Sequence, residues 1–407
     1  MKILQLCKKV PYPLKDGEAI AVTYLAKALH QLGATVTLLS MNTTKHHVEP
    51  SVYQPALQHY KAVHTVKVDN RLKVKDALQN LFSAQSYHIA RFISEAFKRQ
   101  LIALLQAEDY DIVQLETLYL APYIEAIRQH SSAKIVLRAH NVEHEIWQRI
   151  ADNTRLGPKK LYLKILVDRL ARFELRQLNQ YDLLVAITAR DLAHFERLGC
   201  TIPTHVTPIG LDLSDYPQRT MPSVHPPTFG FIGSLDWFPN TEGLDWLLEQ
   251  VWPSVLAALP TAVLHIGGRN AAPEWRAAAQ RHPNVVVHGE VPNAVDFIHQ
   301  HPVMLVPLLS GSGMRVKILE GMALGKVVVS TALGLEGIHA QSGQEVWKVD
   351  DPSDFAQAMV RCYQQPSLLE TMGRQAQAFL AAHYDNHTIA ERLMKAYHTL
   401  LQTPSPA

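Results

Sequence analysis

The chain has 407 residues, 47% of them apolar and 19% charged, the composition of a folded globular protein long enough for two or three domains. Its 39 basic and 37 acidic side chains leave a formal charge of +2, which gives no overall attraction for a polyanion and speaks against nucleic acid as a partner. Cys7, Cys200 and Cys362 are the only cysteines, too few and too scattered for a disulfide framework or a zinc knuckle. No apolar run reaches the roughly 18 residues of a membrane span, and the first residues enter a strand pattern without a signal-peptide core. The expected location is therefore cytoplasmic, with peripheral contact to the inner membrane face left open.

Residues 2–6 form a short apolar run of strand length, followed by a turn-rich loop at 11–18 that contains Gly17. Residues 20–32 place Ile20, Tyr24, Leu25, Ala28, Leu29 and Leu32 on one helical face, Gly33 stops the helix, and 36–39 is the next strand. This β-α-β opening predicts a parallel sheet with right-handed crossovers. Gly17 stands just ahead of the helix, where a ligand can meet backbone amides; an ordinary connecting turn explains it equally well.

Residues 63–68 predict a strand, and 72–105 a helical, fairly basic stretch best read as a surface helix hairpin. The strand at 111–115 ends in Glu116, and the strand at 134–139 ends in His140-Asn141-Val142-Glu143-His144. Polar groups at the carboxyl ends of parallel strands are where ligands gather, so Glu116 and His140 are candidates. His140 is the favoured polar group of this half, able to hydrogen-bond a substrate or steady a reacting hydroxyl. The plainer account is a loop histidine beside a helix capped by Asn141, with Glu143 and Glu145 in its first turn. Helices at 143–150 and 158–179 carry Lys159, Lys160, Lys164, Arg169, Arg172 and Arg176 between apolar residues. That face either lies in water over the sheet or rests on anionic lipid. A strand at 183–187, a helix at 188–199 and a strand at 206–210 complete the first half.

Pro217, Pro222, Pro226 and Pro227 mark a linker. The expected domains are 1–212, a linker at 213–227, a second domain at 228–385, and a terminal helix at 386–407 with a disordered tail. The second domain restarts the β/α pattern. Strand 228–232 ends in Gly233-Ser234, a helix spans 241–259, strand 262–266 ends in Gly267-Gly268-Arg269, and strand 285–288 runs into Gly289-Glu290-Val291. After a helix at 294–300, strand 304–309 leads into Gly311-Ser312-Gly313, a helix opens near Met314, Gly325 ends it, and 327–329 is the next strand. A strand at 345–349 and helices from 351 to 402 follow. Glycines at the ends of four successive strands would line one cleft floor, allowing backbone to approach a ligand closely.

The stretch at 310–330 is the most informative. Gly311, Ser312, Gly313 and Met314 offer backbone N–H groups at a helix start, an anion site by geometry and dipole. Arg315 and Lys317 add two cations, and Glu320, on the same helix, can accept two hydroxyl hydrogen bonds. Anion donors followed by a diol acceptor suit a nucleotide sugar, with diphosphate at the loop and ribose at Glu320. The alternative is a bare loop and core helix, with Lys317 and Glu320 as an exposed pair worth about 0.2–0.5 kcal/mol.

Glu320-Gly-Met-Ala-Leu-Gly-Lys-Val-Val-Val resembles the C-terminal signature of family 4 glycosyltransferases of the GT-B fold, and Arg-Ala-His-Asn-Val-Glu-His at 138–144 resembles motifs of bacterial surface-polysaccharide transferases. The family's first signature Glu is replaced by Ser312. The resemblance implies an α/β protein of two Rossmann-like domains with parallel sheets facing a central cleft. It further implies sugar transfer from a nucleotide sugar to a glycan or lipid-linked acceptor, with retention at the anomeric carbon; no metal or other cofactor is expected, because the backbone amides, Arg315 and Lys317 can carry the diphosphate charge. His140, Arg315 and Lys317 are then the expected catalytic groups. Gly17, Gly233, Ser234, Arg269, Val291, Gly311, Ser312, Gly313, Met314, Arg315, Lys317 and Glu320 are the expected donor-binding residues, with Arg269 and Val291 near the base. The basic stretch at 72–105 has the alternative of facing the acceptor, and the terminal helix is expected to return to the first domain. A sugar-nucleotide epimerase and a non-catalytic nucleotide-sugar-binding subunit share the same ligand class and stand as the alternatives.

Overall fold

The structure, a computed structural model, describes residues 1–14, 16–71, 80, 86–154, 157–216, 228–311 and 313–402. Ser312, residues 217–227 of the expected linker, most of 72–85 and the tail at 403–407 lie outside the described residues. The chain divides into two compact units, Met1–Gly210 with Asn386–Ala407, and Leu211–Asp385. Among the described residues no helix is long and apolar enough to cross a membrane.

The first unit is built on a seven-stranded sheet in the order β3-β2-β1-β4-β5-β6-β7, with every neighbouring pair parallel. The strands are β1 Lys2–Cys7, β2 Thr35–Thr43, β3 Ala62–Val68, β4 Ile112–Leu115, β5 Lys134–Ala139, β6 Leu183–Ala186 and β7 Thr204–Val206. The helices in chain order are α1 Gly17–Gln31, α2 Pro50–Tyr53, α3 Tyr87–Ala90, α4 Glu95–Ala107, α5 Ile124–His130, α6 Glu143–Asn153, α7 Pro158–Gln177 and α8 Ala189–Arg197. Successive side chains on a strand face opposite ways, and β1 shows the consequence. Leu4 and Leu6 pack with Phe97, Leu101 and Ile127 of α4 and α5, while Ile3 packs with Leu25 and Leu29 of α1. The strand expected at 206–210 instead ends at Val206, since Pro208 has no N–H to continue the ladder.

The second unit has a six-stranded parallel sheet in the order β10-β9-β8-β11-β12-β13. Its strands are β8 Phe229–Ile232, β9 Leu264–Gly267, β10 Val285–Gly289, β11 Val303–Val306, β12 Val327–Ser330 and β13 Trp347–Lys348. Its helices are α9 Phe238–Trp246, α10 Trp252–Ala258, α11 Pro273–Ala279, α12 Ala294–Gln300, α13 Val316–Ala323, α14 Pro352–Gln364 and α15 Pro366–His383. Phe229, Phe231, Leu264, Ile266, Val303 and Leu305 form one buried face under Trp246, Val251 and Trp252. The single helix expected at 241–259 starts earlier, at Phe238, and widens into a π turn at Leu247–Val251 before α10. Pro253 lies in the first turn of α10, where its missing N–H leaves the preceding carbonyls to longer-range bonds.

The final helix, α16 Asn386–Gln402, belongs to the first unit. Ala390, Leu393, Tyr397 and Leu400 join the cluster that contains Val22, Leu25 and Leu29 of α1.

In both sheets the strand order reverses direction about one central pair, β1 and β4 in the first and β8 and β11 in the second. Crossover helices leave opposite faces of the sheet there, so the loops after those strands part and open a crevice. The candidate residues fall at these two points.

Candidate active site

In the second unit, the Lys317 ammonium spans the switch point. From α13 it donates to the carbonyl of Ile232, the last residue of β8, at 3.0 Å and to Asn240 Oδ1 of α9 at 3.0 Å. It also lies 4.3 Å from the centroid of the Phe231 ring. Burial, and then the nearby Arg315 guanidinium, push its pKa down to about 7. Gly233 leaves room beside it: a Cβ there would stand 2.7 Å from Asn240 Nδ2 and 3.1 Å from Lys317 Nζ, and those side-chain ends would have to shift. Gly268 is more tightly constrained, since its Cβ would be 2.1 Å from the Gly233 carbonyl oxygen, which is backbone.

The glycine loop wraps the second cation. Gly311 has φ of +102° and Gly313 of +81°, conformations that favour glycine. The buried Arg315 turns back to donate to the Gly313 carbonyl, and its guanidinium lies 5.7 Å from the Trp237 ring centroid. Helix α13 begins at Val316, two residues after the expected start at Met314. Arg315 occupies the cap position in an extended conformation (φ −94°, ψ 93°). Met314 is buried. Glu320 lies one turn beyond Lys317. It does not pair with Lys317 but accepts a hydrogen bond from Tyr216 Oη at 3.1 Å. Burial pushes its carboxyl up to about 7, against the opposing effect of the Tyr216 bond.

The remaining strand-end residues of this unit gather at the same edge. Asn240 Nδ2 donates to the Ser234 carbonyl at 2.8 Å, and Arg269 Nε donates to Ser234 Oγ at 3.2 Å. Val291 lies beside Gly267, whose Cβ would stand 3.2 Å from Val291 Cγ1.

The first unit carries a second polar centre at the ends of β1, β4 and β5. Glu116 is fully buried. It accepts from His140 Nε2 at 2.9 Å and from Arg138 at 3.3 Å, and both Gln5 and Gln114 donate to its other oxygen. Burial alone would raise its carboxyl, but Arg138 and His140 outweigh that and hold it at about 2. Tyr60 bonds Gln5 at 2.8 Å, and Tyr397 of α16 bonds Gln114. His140, almost enclosed with a side chain 10% exposed, is thus held by a rigid carboxylate. Nearby, Lys8 and Lys9 reach Glu18 at 3.3 and 3.6 Å. Asp16 caps α1 by accepting from the Ala19 N–H at 3.0 Å, which leaves Gly17 as the first helical residue. Glu143 accepts from Tyr119 Oη at 2.9 Å, and burial raises its carboxyl to about 7.

Asn141 does not cap α6. The cap position is Val142, and the Glu174 carboxylate of α7 accepts from the Glu143 and His144 N–H groups, both at 3.1 Å. A carboxylate takes two amide protons at once and complements the helix dipole, which a neutral asparagine does less well.

Two family models match this chain: one described as Glycosyltransferase Family 4 over residues 16–215, the other as Glycosyl transferases group 1 over residues 226–365. The chain is a family 4-like glycosyltransferase of the GT-B fold. The transferase is 22% identical, over 97% of its length and 99% of the relative's, to a 44.6 kDa protein of the cps region of Klebsiella pneumoniae. It is 28% identical over 43% of its length to the D-rhamnosyltransferase WbpZ of Pseudomonas aeruginosa, of which 48% is covered. Sucrose-phosphate synthase from Thermosynechococcus elongatus shares its fold with a TM-score of 0.72 at 17% identity, covering 98% of this chain and 99% of that one. The Anabaena protein Alr3699/HepE, solved in complex with UDP-glucose, does so with a TM-score of 0.66 at 16% identity, covering 98% and 100%.

The structure brings Gly233, Ser234, Arg269, Gly311, Gly313, Arg315 and Lys317 to one edge of the second sheet, with Glu320 a turn further along α13 and Val291 beside Gly267. Gly17 and His140 belong to the first unit of the transferase. Sequence reasoning missed Asn240, Tyr216, Tyr119 and Glu174. Asn240 had a usable signal, since it sits at the start of the helix that follows the Gly233-Ser234 strand end. The other three act on partners 24 to 104 residues away and leave no local mark.

Proposed function

We propose that this transferase moves a hexosyl group from a nucleotide sugar to a hydroxyl of a glycan or lipid-linked acceptor, in the synthesis of a cell-surface polysaccharide on the cytoplasmic side of the membrane. The observation that carries the donor assignment is the reach of Lys317 to Ile232 and Asn240. It joins the Gly233-Ser234 strand end and the Gly311–Gly313 loop into one cationic floor. There the donor diphosphate lies against Arg315, Lys317 and the first amides of α13, and the ribose hydroxyls bond the Glu320 carboxylate.

As the anomeric carbon–oxygen bond breaks, negative charge grows on the diphosphate. Arg315, Lys317 and the α13 dipole stabilise that charge in a site whose groups are already oriented. These groups take the place of a divalent metal. His140, fixed by Glu116, hydrogen-bonds the transferred sugar or the acceptor hydroxyl, and transfer proceeds with retention. The polysaccharide assignment is supported by the likeness to a cps-region protein and to a rhamnosyltransferase.

A panel of UDP-, GDP-, ADP- and dTDP-sugars, screened by thermal shift and titrated by calorimetry, tests the donor site, because a ligand that binds only the folded state raises its melting point. Replacing both Arg315 and Lys317 by Ala removes two charge-assisted contacts, each worth about 1.5–3 kcal/mol, so affinity falls by roughly 10² or more. An unchanged titration rejects the assignment. Proton NMR of the product reads the anomeric outcome, and unaltered turnover in EDTA is expected.

A further inference from the structure

Beside the cations of the second unit, three large apolar side chains stand open to solvent. Trp237 is 41% exposed, Phe238 57% and Leu309 42%. Single exposed apolar residues are ordinary, but these three gather around one point, and an apolar cluster rimmed by polar groups marks a ligand surface. That point is Gly311. A Cβ there would stand 3.4 Å from both Trp237 Cη2 and Pro239 Cγ, and 3.1 Å from Arg315 Nη2. Phe238 lies between Trp237 and Pro239 in the chain, and Leu309 two residues before Gly311.

The cluster is mounted on the frame of the cation site. Trp237 holds the cap position of α9, and its carbonyl accepts from the Asn240 N–H at 2.9 Å. The Asn240 side chain in turn accepts from Lys317 and donates to the Ser234 carbonyl. Helix α9 is packed without slack, since a Cβ at Gly243 would stand 2.0 Å from the Pro307 carbonyl oxygen, just after β11. Asp236, the neighbouring acid, is engaged elsewhere: it accepts from Ser234 Oγ at 2.5 Å and from Asn270 Nδ2 at 3.1 Å. An aromatic surface already fixed in this way leaves little ordering for a ligand to impose.

The covalent order of a nucleotide sugar then decides which of its groups reaches this surface. With the ribose on Glu320 and the diphosphate on Lys317 and Arg315, the ligand runs back along α13 toward its first residue, about 1.5 Å for each residue passed. The next group in the molecule is the pyranose, and it leaves the diphosphate beside Gly311 and Trp237.

We infer that Trp237, flanked by Phe238 and Leu309, is the surface on which the donor's pyranose stacks, and that it determines how well the sugar part of the donor is recognised. The inference rests on the donor reading given above and deepens it. A pyranose carries C–H bonds on its faces and hydroxyls around its rim. The indole takes a C–H face and leaves the rim hydroxyls to water or to polar partners. Tryptophan suits this because it offers a large contact area with only two side-chain torsions to fix.

The test titrates the full chain by calorimetry with paired probes: UDP and UDP-glucose, GDP and GDP-mannose, ADP and ADP-glucose, dTDP and dTDP-glucose. In whichever pair binds, Trp237→Ala is expected to weaken the nucleotide sugar about three- to tenfold more than the nucleoside diphosphate, the scale of one aromatic contact. Trp237→Phe should recover part of that loss. Phe238→Ala, which leaves the indole beside Arg315 in place, should show a smaller loss of the same kind. Equal losses for the two members of a pair, the mark of a residue that only supports Arg315, or no loss at all, overturn the inference. A second readout uses the unaltered protein and stays decisive if a variant fails to fold. Of the six tryptophans only Trp237 is exposed; Trp246 and Trp252 are buried, and Trp147, Trp275 and Trp347 are half-buried. Acrylamide quenching of the fluorescence should therefore fall when the nucleotide sugar is bound, and fall less with the nucleoside diphosphate; equal shielding by the two overturns the stacking. Failure of every probe to bind rejects the donor reading and this inference with it, whereas binding without any sugar-dependent effect at Trp237 rejects this inference alone.

Discussion

Donor binding should follow a bell-shaped pH profile centred near neutrality, and each limb belongs to one residue of α13. Lys317 must be protonated to hold the diphosphate and is pushed down to about 7; Glu320 must be ionised to accept from the ribose and is pushed up to about 7. Apparent affinity scales with the fraction of protein in the competent protonation state. With both midpoints near 7, about a quarter of molecules are competent at the optimum, falling about threefold one pH unit to either side and about eightfold at one and a half. Nucleotide sugars suit the experiment because their esterified diphosphate does not titrate in this range. Calorimetric titration from pH 5.5 to 8.5 would show the bell. Lys317→Met should abolish the alkaline limb, leaving affinity that rises and then levels, at roughly 10² weaker overall binding. Glu320→Gln should abolish the acid limb. At pH 7, comparison of buffers with different ionisation enthalpies should show little net proton exchange in the unaltered protein, about half a proton released by Lys317→Met and about half taken up by Glu320→Gln. A flat or monotonic profile in the unaltered protein, or an alkaline limb that survives Lys317→Met, refutes the pairing of these two groups around the donor.

Three further outcomes follow from the same geometry. Tyr216→Phe removes the donor that favours ionised Glu320, so the acid limb should move to higher pH while the alkaline limb stays; an unmoved acid limb would show that the 3.1 Å contact has no effect on the carboxylate. Glu116 has a folded pKa near 2, below its ordinary value of 4.5, so its contribution is complete above about 4.5 and is lost as pH falls toward 2, on the order of 3 kcal/mol in all. Urea denaturation at pH 7 and pH 3 should show that dependence shrinking in Glu116→Gln, along with a loss of several kcal/mol at pH 7 as Arg138 is left buried without its counter-charge. Gly268→Ala drives a Cβ to within 2.1 Å of the Gly233 carbonyl oxygen, and overpacking against backbone costs about 1–3 kcal/mol or more. Its melting temperature should fall by several degrees, and an unshifted melt would mean that the strand ends part without strain.

Much of the fold was legible because its signals are local. The apolar runs at 2–6, 134–139 and 327–329 and the helix stops at Gly33 and Gly325 correspond to β1, β5, β12 and the ends of α1 and α13. The cationic character of the 310–330 stretch was equally visible, as was the repetition of glycine at strand ends. What stayed hidden was the choice of partner. Lys317 and Glu320, three apart on one helix, look like a surface ion pair, yet Lys317 bonds residues 77 and 85 positions back and Glu320 one 104 positions back. The cap of α6 was misassigned for the same reason. Asn141 is adjacent in sequence, whereas Glu174 arrives through the packing of α6 on α7 and displaces it.

Displaced titrations alone would not have located the candidate site. His301 is pushed down to about 3 and Lys326 to about 8, both chiefly by burial. Yet His301 shares a hydrogen bond of 2.8 Å with Thr228, and Lys326 donates to the His299 carbonyl at 2.9 Å. Thr228, His301 and Lys326 immediately precede or nearly precede β8, β11 and β12, which places them at the amino edge of the sheet. Crossover helices return the chain to that edge, so its polar groups have structure to satisfy and no crevice to serve. Lys317, Glu320, Glu116 and Glu143 belong to the opposite edge, after the strands, where the loops diverge at the reversal of strand order. A buried charge at the amino edge is part of the packing; the same charge at the carboxyl edge, beside the reversal of strand order, is disposed to meet a ligand.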